Sequence, residues 1–376
     1  MVTRWWARGF QEYRLQFACR PIDAEGTLPR FMSLKFGFIG VGAMGRSHMD
    51  LFHCQSNGRA VATAICSRNP DNIAKAKEFA PDVEVFDDES KLIQADLDVV
   101  VVSSPNSTHV KLAGEVIAAG KHLFLEKSCG ITLAECDELE RISAGTDRVI
   151  MIGHELRYSA FFRKIKELVD AGEIGRPRMA WTKEFRGPFQ PKSGNWIQNK
   201  TMSGGLMVDK NCHHFDMMNW WLDAKPKRVA AFGGLAVTKV VEPEVQVNDY
   251  SSVNIEYDNG AVGTLQVSMF ARDFPNEDLE MGIVGESGVL QTRISGIEIL
   301  QWKRGVDEGE PIVHEVDAKA GTGWGGHLGF AEIHEAFLDA IIEGKAHLTS
   351  VEECVPGTRI AIAAEQSVAS GQIVTL

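Results

Sequence analysis

Leu34-Lys35-Phe36-Gly37-Phe38-Ile39-Gly40-Val41-Gly42-Ala43-Met44-Gly45 is a short apolar run that empties into three regularly spaced glycines. The run Leu34–Ile39 reads as a buried parallel strand, and Met44 to about Cys54 reads as the helix that follows it. A G-x-G-x-x-G spacing at such a strand-to-helix junction has a mechanism. Gly40 permits the tight turn, Gly42 lets the backbone approach a pyrophosphate, and Gly45 allows helix and strand to pack closely. Ala43 and Met44 complete the turn, so that a diphosphate would meet the helix N-terminus. The stretch therefore predicts a dinucleotide-binding βαβ unit.

The same rhythm continues outward. Val61–Cys66 is a second strand and Asp71–Phe79 a second helix. Asp98–Val102, with four consecutive valines, predicts a strand buried on both faces that stops at Ser103-Ser104-Pro105. Helix Thr108–Ala119, strand His122–Leu125, helix Leu133–Ser143 and strand Val149–Ile152 follow. Strands alternating with helices of this length predict a doubly wound parallel sheet over residues 33–155. From 156 to 376 the pattern changes. Helix Phe161–Ala171 gives way to strand-like Asn248–Tyr257, which turns at Asp258-Asn259-Gly260 into Ala261–Phe270. Leu279–Val284, Val289–Ile294 and Ile297–Trp302 continue the β pattern before helices at Phe330–Glu343 and Pro356–Ser370. This half reads as an α+β domain with an open, mainly antiparallel sheet, its last helix (about 350–370) free to pack back on the first domain.

The chain has 376 residues and a formal charge of −12, from 39 basic and 51 acidic side chains. That balance argues against nucleic acid, whose phosphates demand a basic face. No run reaches the roughly 20 apolar residues of a membrane-spanning helix. Seven scattered cysteines without a C-x-x-C pair read as reduced thiols of a cytoplasmic protein. Residues 1–32 carry five arginines but lack the apolar stretch of a secretory signal, so Met32 is the better expected start of the chain.

Four constellations carry chemistry. Beyond the glycines, the end of the second strand has Cys66-Ser67-Arg68 where an acid would bind a ribose 2′-hydroxyl. A Ser hydroxyl and a guanidinium can bond a 2′-phosphate, so NADP is mildly favoured; with Arg68 stacked on adenine the cofactor would be NAD. Glu126-Lys127 closes a parallel strand at the edge where open α/β sheets bind ligands, and partial burial is expected to lower the Lys127 pKa. In Asp209-x-x-x-His213-x-x-Asp216, helical geometry puts His213 ~40° and Asp216 ~20° either side of Asp209. Asp209 is thereby expected to orient His213 as a general base. His214 lies further round, and a metal reading of Asp209, Cys212, His213 and His214 is poor because those side chains diverge.

Together GFIGVGAMGRSH, VVVVSSPNSTHVKLAGEVIAAGKHLFLEK, GHELRYS, GGLMVDKNCHHFDMMNWW and TSVEECVPGTRIAIAAEQSVASG resemble the Gfo/Idh/MocA family of NAD(P)-dependent oxidoreductases. The resemblance implies a Rossmann domain and a C-terminal domain whose open sheet forms a homodimer or homotetramer interface. It implies hydride transfer between NADP or NAD and a secondary hydroxyl of a small polyhydroxylated substrate (a sugar, inositol or sugar acid). By position it implies that Lys127 binds the reacting hydroxyl and that His213, with Asp209, is the base. Ser104, Pro105, Asn106 and His109 would line the nicotinamide, next to Glu126. His154, Arg157, Arg186, His214 and His327 are substrate-pocket candidates, the arginines for an anionic group. Two departures stand out: Ser128 replaces the proline of Glu-Lys-Pro, and Lys210 follows Asp209. Some relatives use the same parts for transient C3 oxidation and elimination of glycosides, the alternative reading.

Overall fold

The computed structural model describes residues 33–190, 192–238, 245–273, 277–293, 297–306, 309–316 and 328–376. Residues 1–32, with the expected start at Met32, and His327 lie outside them.

Strand β1 (Leu34–Ile39) leads into helix α1 (Ala43–Met49), which continues through a π-helical turn, Asp50–Cys54. Then come β2 (Ala60–Cys66), α2 (Pro70–Lys77), β3 (Glu84–Phe86), α3 (Glu89–Gln94), β4 (Val99–Val102), α4 (His109–Ala118), β5 (His122–Leu125), α5 (Leu133–Ser143) and β6 (Ile150–Ile152). The six strands form one sheet in the order β3-β2-β1-β4-β5-β6, every neighbouring pair parallel. All four valines of β4 are buried. Branched side chains suit this central strand because they pack on both pleated faces with little rotamer freedom to lose. Strand order reverses between β1 and β4, so the loops leaving their carboxyl ends part and open a crevice there. Sequence reading passed over β3 and α3, which are too short to show a period.

Helix α6 (Ala160–Asp170) leads to β7 (Pro177–Arg186), α7 (Lys200–Ser203), a π-helical turn (Met207–Asn211) and α8 (Cys212–Leu222). Strands β8 (Pro226–Gly234), β9 (Tyr250–Tyr257), β10 (Val262–Ser268), β11 (Glu277–Gly285), β12 (Gly288–Arg293), β13 (Glu298–Lys303) and β14 (Ile312–Glu315) follow. Helices α9 (Phe330–Glu343) and α10 (Val351–Ser370) and a short β15 (Val374–Thr375) end the chain. The nine strands run β14-β13-β12-β11-β7-β10-β9-β8-β15, antiparallel except for β7 beside β10. In β9, Ser251, Val253, Ile255 and Tyr257 are buried, whereas Tyr250 belongs to the opposite face and is 41% exposed. Counting Tyr250 with the inward residues was an error of phase. The turn Asp258-Asn259-Gly260 forms as expected, with Gly260 at φ 81° and Asn259 Oδ1 accepting from the Ala261 N–H.

Helix α10 begins at Val351, five residues ahead of the expected Pro356. Ser350 caps it by accepting from the Glu353 N–H, and that cap outweighs the one donor that Pro356 removes. The helix packs on β8, on α8 and on α5 of the first domain, where Arg359 bonds Asp137 and Glu140. It ties the two sheets together. Its Glu365 accepts from the Met207 N–H at 2.9 Å and so caps the turn that carries Asp209. A Cβ at Gly205 would fall 2.4 Å from the Glu365 carboxyl carbon, so the bare glycine makes room for this contact.

Burial, against the pull of the Met207 and Leu206 amides and of Lys200, raises the Glu365 pKa from 4.5 to about 7. A carboxyl with a raised folded pKa binds more protons folded than unfolded, so stability is lost as pH climbs from about 4.5 to 7. The Glu365→Gln variant is expected to abolish that loss, on the order of 3 kcal/mol across the window, in urea melts at pH 5 and pH 7.5. Equal pH dependence in both proteins would refute it.

Candidate active site

The glycine turn is built as its spacing requires. Gly40 has φ +85°, and a Cβ there would meet the Ser103–Ser104 backbone at 2.8 Å. A Cβ on Gly45 would stand 1.9 Å from the Gly40 carbonyl oxygen, so helix and strand touch backbone to backbone. Gly42 has open space where its Cβ would point, and the neighbouring Ala43 is exposed with Met44 half-buried. That opening is the cradle a pyrophosphate needs, and the residues present fit a dinucleotide. Gly42→Val is therefore expected to keep the melting temperature while weakening NAD(P) at least tenfold in a fluorescence titration. Unchanged affinity would move the cofactor elsewhere.

At the adenosine end, the Ser67 hydroxyl accepts from the Asn69 N–H. Arg68 is largely exposed and lies 3.2 Å from Glu89, the first residue of α3. An exposed pair of this kind is worth about 0–1 kcal/mol, so a ligand phosphate can displace it.

The loops at the nicotinamide end are braced more than they are open. Ser104 and Thr108 share a hydroxyl hydrogen bond of 2.6 Å, and Pro105 is half-buried. Asn106 is buried and donates to the Ser203 carbonyl at 2.8 Å. His109 is also buried, its Nδ1 and Nε2 each 2.9 Å from a carbonyl oxygen, of Ser128 and Ser104. The expectation that Asn106 and His109 line the nicotinamide is therefore corrected: their polar atoms are spent holding one loop to its neighbours. Burial lowers the His109 pKa, and a neutral ring donates to only one of the two carbonyls.

Glu126 is held from behind by a buried chain. His48, on α1, places Nε2 2.9 Å from Glu126 Oε1 and Nδ1 2.8 Å from His334 Nε2. His334 Nδ1 faces the Phe330 carbonyl, which only accepts, so that nitrogen donates and Nε2 accepts from His48. Neither histidine was singled out from sequence, since α1 and α9 meet only in the fold.

Lys127 follows Glu126 off the end of β5; the Lys127–Ser128 peptide is cis. Its ammonium donates to the Asp209 carbonyl oxygen at 2.5 Å, which joins the first domain to the π-helical turn of the second. Sequence reasoning expected a lowered pKa. Burial does disfavour the charge, but Asp209, Glu126 and Glu155 outweigh it and the pKa is raised. Lys127 is thus a permanent cation and a donor. Asp209 is its counterpart: despite burial, Lys210, Lys127 and Lys192 hold its carboxyl far below the usual range.

Asp209 and His213 do not pair as expected. The π-helical turn at Met207–Asn211 breaks the 100° increment on which that expectation rested. The Asp209 carboxylate lies 3.0 Å from Lys210 Nζ, and His213 Nδ1 instead lies 3.4 Å from Glu155 Oε2. Glu155 was missed although it stands inside the quoted GHELRYS segment. The His213 ring rests 5.2 Å from that of His154, which is fully buried with Nδ1 3.4 Å from Asp216. His154 is part of the floor and has no face toward solvent.

Arg157 is not a substrate clasp. It is buried, grips both oxygens of Asp216 at 2.8 and 2.9 Å, and bonds Glu353 and the Leu348 and Glu353 carbonyls. Cys354 lies beside Asp216 and His154, the three ligand-type atoms within 4.8 Å of one another, but the fork of Arg157 occupies the carboxylate. Arg186 bonds Glu184, and Glu184 also accepts from Asn211 at 2.5 Å. The buried His214 has Nδ1 3.7 Å from Glu184. Lys192, unremarked in the sequence, reaches the same region.

A nucleotide cradle, a cationic lysine and an imidazole backed by a carboxylate, all at the carboxyl edge of a doubly wound sheet, define a dinucleotide-dependent oxidoreductase. Family models agree. Residues 34–154 match "Oxidoreductase family, NAD-binding Rossmann fold" and residues 166–376 match "Oxidoreductase family, C-terminal alpha/beta domain". The chain belongs to the Gfo/Idh/MocA oxidoreductase family and is an NAD(P)-dependent enzyme. It is 30% identical over 261 residues to an inositol 2-dehydrogenase of Acidiphilium cryptum, covering 69% of this chain and 73% of that one. An inositol 2-dehydrogenase of Rhizobium meliloti is 24% identical over 92% of this chain and all of its own. Among solved structures, apo scyllo-inositol dehydrogenase from Lactobacillus casei superposes with TM-score 0.74 at 21% identity, covering 91% of this chain and 98% of that one. An oxidoreductase domain protein from Kribbella flavida reaches 0.77 at 22% identity, covering 91% and 99%. No helix among the described residues is long and apolar enough to cross a membrane.

Proposed function

We propose that the enzyme interconverts a secondary hydroxyl and a ketone on a small polyol, sugar or inositol. The observation that carries this reading is the 2.5 Å bond from Lys127 to the Asp209 carbonyl, which sets a fixed cation between the cofactor cradle and the His213 helix. In the proposed reaction Lys127 donates to the reacting oxygen and His213, backed by Glu155, removes its proton. Asp209 stays ionised and holds Lys127 and Lys210 in place. When bound, the nicotinamide supplies the hydride acceptor or donor, and Gly40, Gly42, Gly45 and the loop from Ser104 would hold the dinucleotide. NADP is the mildly favoured cofactor: Ser67 and Arg68 suit a 2′-phosphate, although Glu89 competes for the guanidinium.

The chain's relatives favour this dehydrogenase reading over elimination. A homodimer or homotetramer through the open face of the second sheet, where Phe232 is 75% and Tyr250 41% exposed, accompanies it; light scattering measures it. The deciding experiment runs sugars, inositols and sugar acids with each cofactor at the NAD(P)H absorbance. At least one substrate is expected to give steady reduction, with kcat/KM higher for NADP. Co-purifying cofactor and turnover without net absorbance change would overturn the assignment in favour of elimination, and a tenfold preference for NAD would overturn the cofactor choice.

A further inference from the structure

Around the proposed reaction centre the charges do not balance locally. Three ammonium groups, of Lys127, Lys192 and Lys210, act on the single carboxylate of Asp209. The other nearby carboxylates are already engaged: Glu126 by His48, Glu155 by His213, and Glu184 by Arg186 and Asn211. Asp209 lies 3.0 Å from Lys210 and can compensate one cation, while Lys127 spends a donor on a backbone oxygen.

Lys192 and Lys210 are also held in place. The Lys192 ammonium sits 5.1 Å over the Trp196 ring and that of Lys210 5.9 Å over Phe189, within the range of a cation–π contact. Lys192 is solvent-exposed yet enclosed by protein mass, as a residue lining an open cleft is. That enclosure, reinforced by Lys210 and Lys127 and opposed by Asp209, pulls its pKa down to about 8. Lys210 is also one of the two positions where the chain departs from the motif it otherwise follows. Two anchored cations beside the site of hydride transfer are costly unless a ligand neutralises them.

We propose that the substrate carries a carboxylate, as a sugar acid does, and that Lys192 and Lys210 bind it. This rests on the dehydrogenase reading above for its chemistry, but not for binding. A carboxylate accepts from two separate ammonium groups through its two oxygens, and each charge-assisted bond is worth about 1.5–3 kcal/mol. Each is therefore expected to contribute roughly 10- to 100-fold in affinity.

The test compares matched pairs, glucose with glucuronate and galactose with galacturonate, and adds glucose 6-phosphate. The full chain is loaded with NAD(P), with kcat/KM and calorimetric Kd measured for each. The acid is expected to exceed its neutral partner at least tenfold, with that ratio falling at least tenfold in Lys210→Gln and in Lys192→Gln. A ratio near or below one, or variants that slow acid and neutral sugar equally, would overturn the proposal. Preference for the phosphate over both acids overturns the carboxylate assignment. Tight glucuronate binding without turnover upholds the anion site while removing the dehydrogenase reading. Neither binding nor turnover of any acid overturns it.

Discussion

Lys127→Met and His213→Ala are each expected to lower kcat/KM by 10²-fold or more while the cofactor still binds. Lys127 is the group with the fewest substitutes. Its ammonium is fixed by the Asp209 carbonyl and kept charged by Asp209, Glu126 and Glu155, so methionine preserves its stem and removes only the donor. His213 loses a proton acceptor backed by Glu155. The two variants separate by pH. The raised Lys127 and depressed Asp209 leave both groups ionised between pH 5 and 9, so neither contributes a limb to the wild-type profile in that range. Lys127→Met is therefore expected to lower the whole profile without moving its limbs, and His213→Ala to change its shape. Near-normal turnover in either variant, with cofactor fluorescence intact, would remove that residue from the mechanism.

The second large effect is on stability. Arg157→Ala leaves the Asp216 carboxylate fully buried and facing only His154 and Cys354. Breaking one side of such a pair costs about 3–5 kcal/mol, enough to lower the melting temperature by roughly 10 °C. The sign of the pH dependence follows from Asp216, whose carboxyl is depressed by Arg157 and His154 despite burial. Its contribution is present above the unfolded carboxyl pKa and is lost as pH falls through the folded value. The wild type is therefore expected to lose more stability in acid than Arg157→Ala does. Replacing both partners, Arg157→Met with Asp216→Leu, is expected to recover much of the loss, because no charge is then stranded. A single variant as stable as the wild type would show that the pair does not anchor α8.

What the sequence by itself determined is local. A run of six residues ending in spaced glycines, four valines in succession and the alternation of strand and helix fix the parallel sheet, because each depends on neighbours within one element. Lys127 at the end of β5 was legible for the same reason. What depended on pairing across the chain was not. Asp209 and His213 looked like partners only while the helix was regular; the π-helical turn redirected them to Lys210 and Glu155. Arg157 looked like an anion clasp until Asp216, 59 residues on, took both its fork nitrogens. His48 and His334, 286 residues apart, meet behind Glu126 only because α9 returns to the first domain. Periodicity records which face an element buries. Which charges then lie within 4 Å of one another is decided by how the elements are stacked, and only the tertiary structure holds that information.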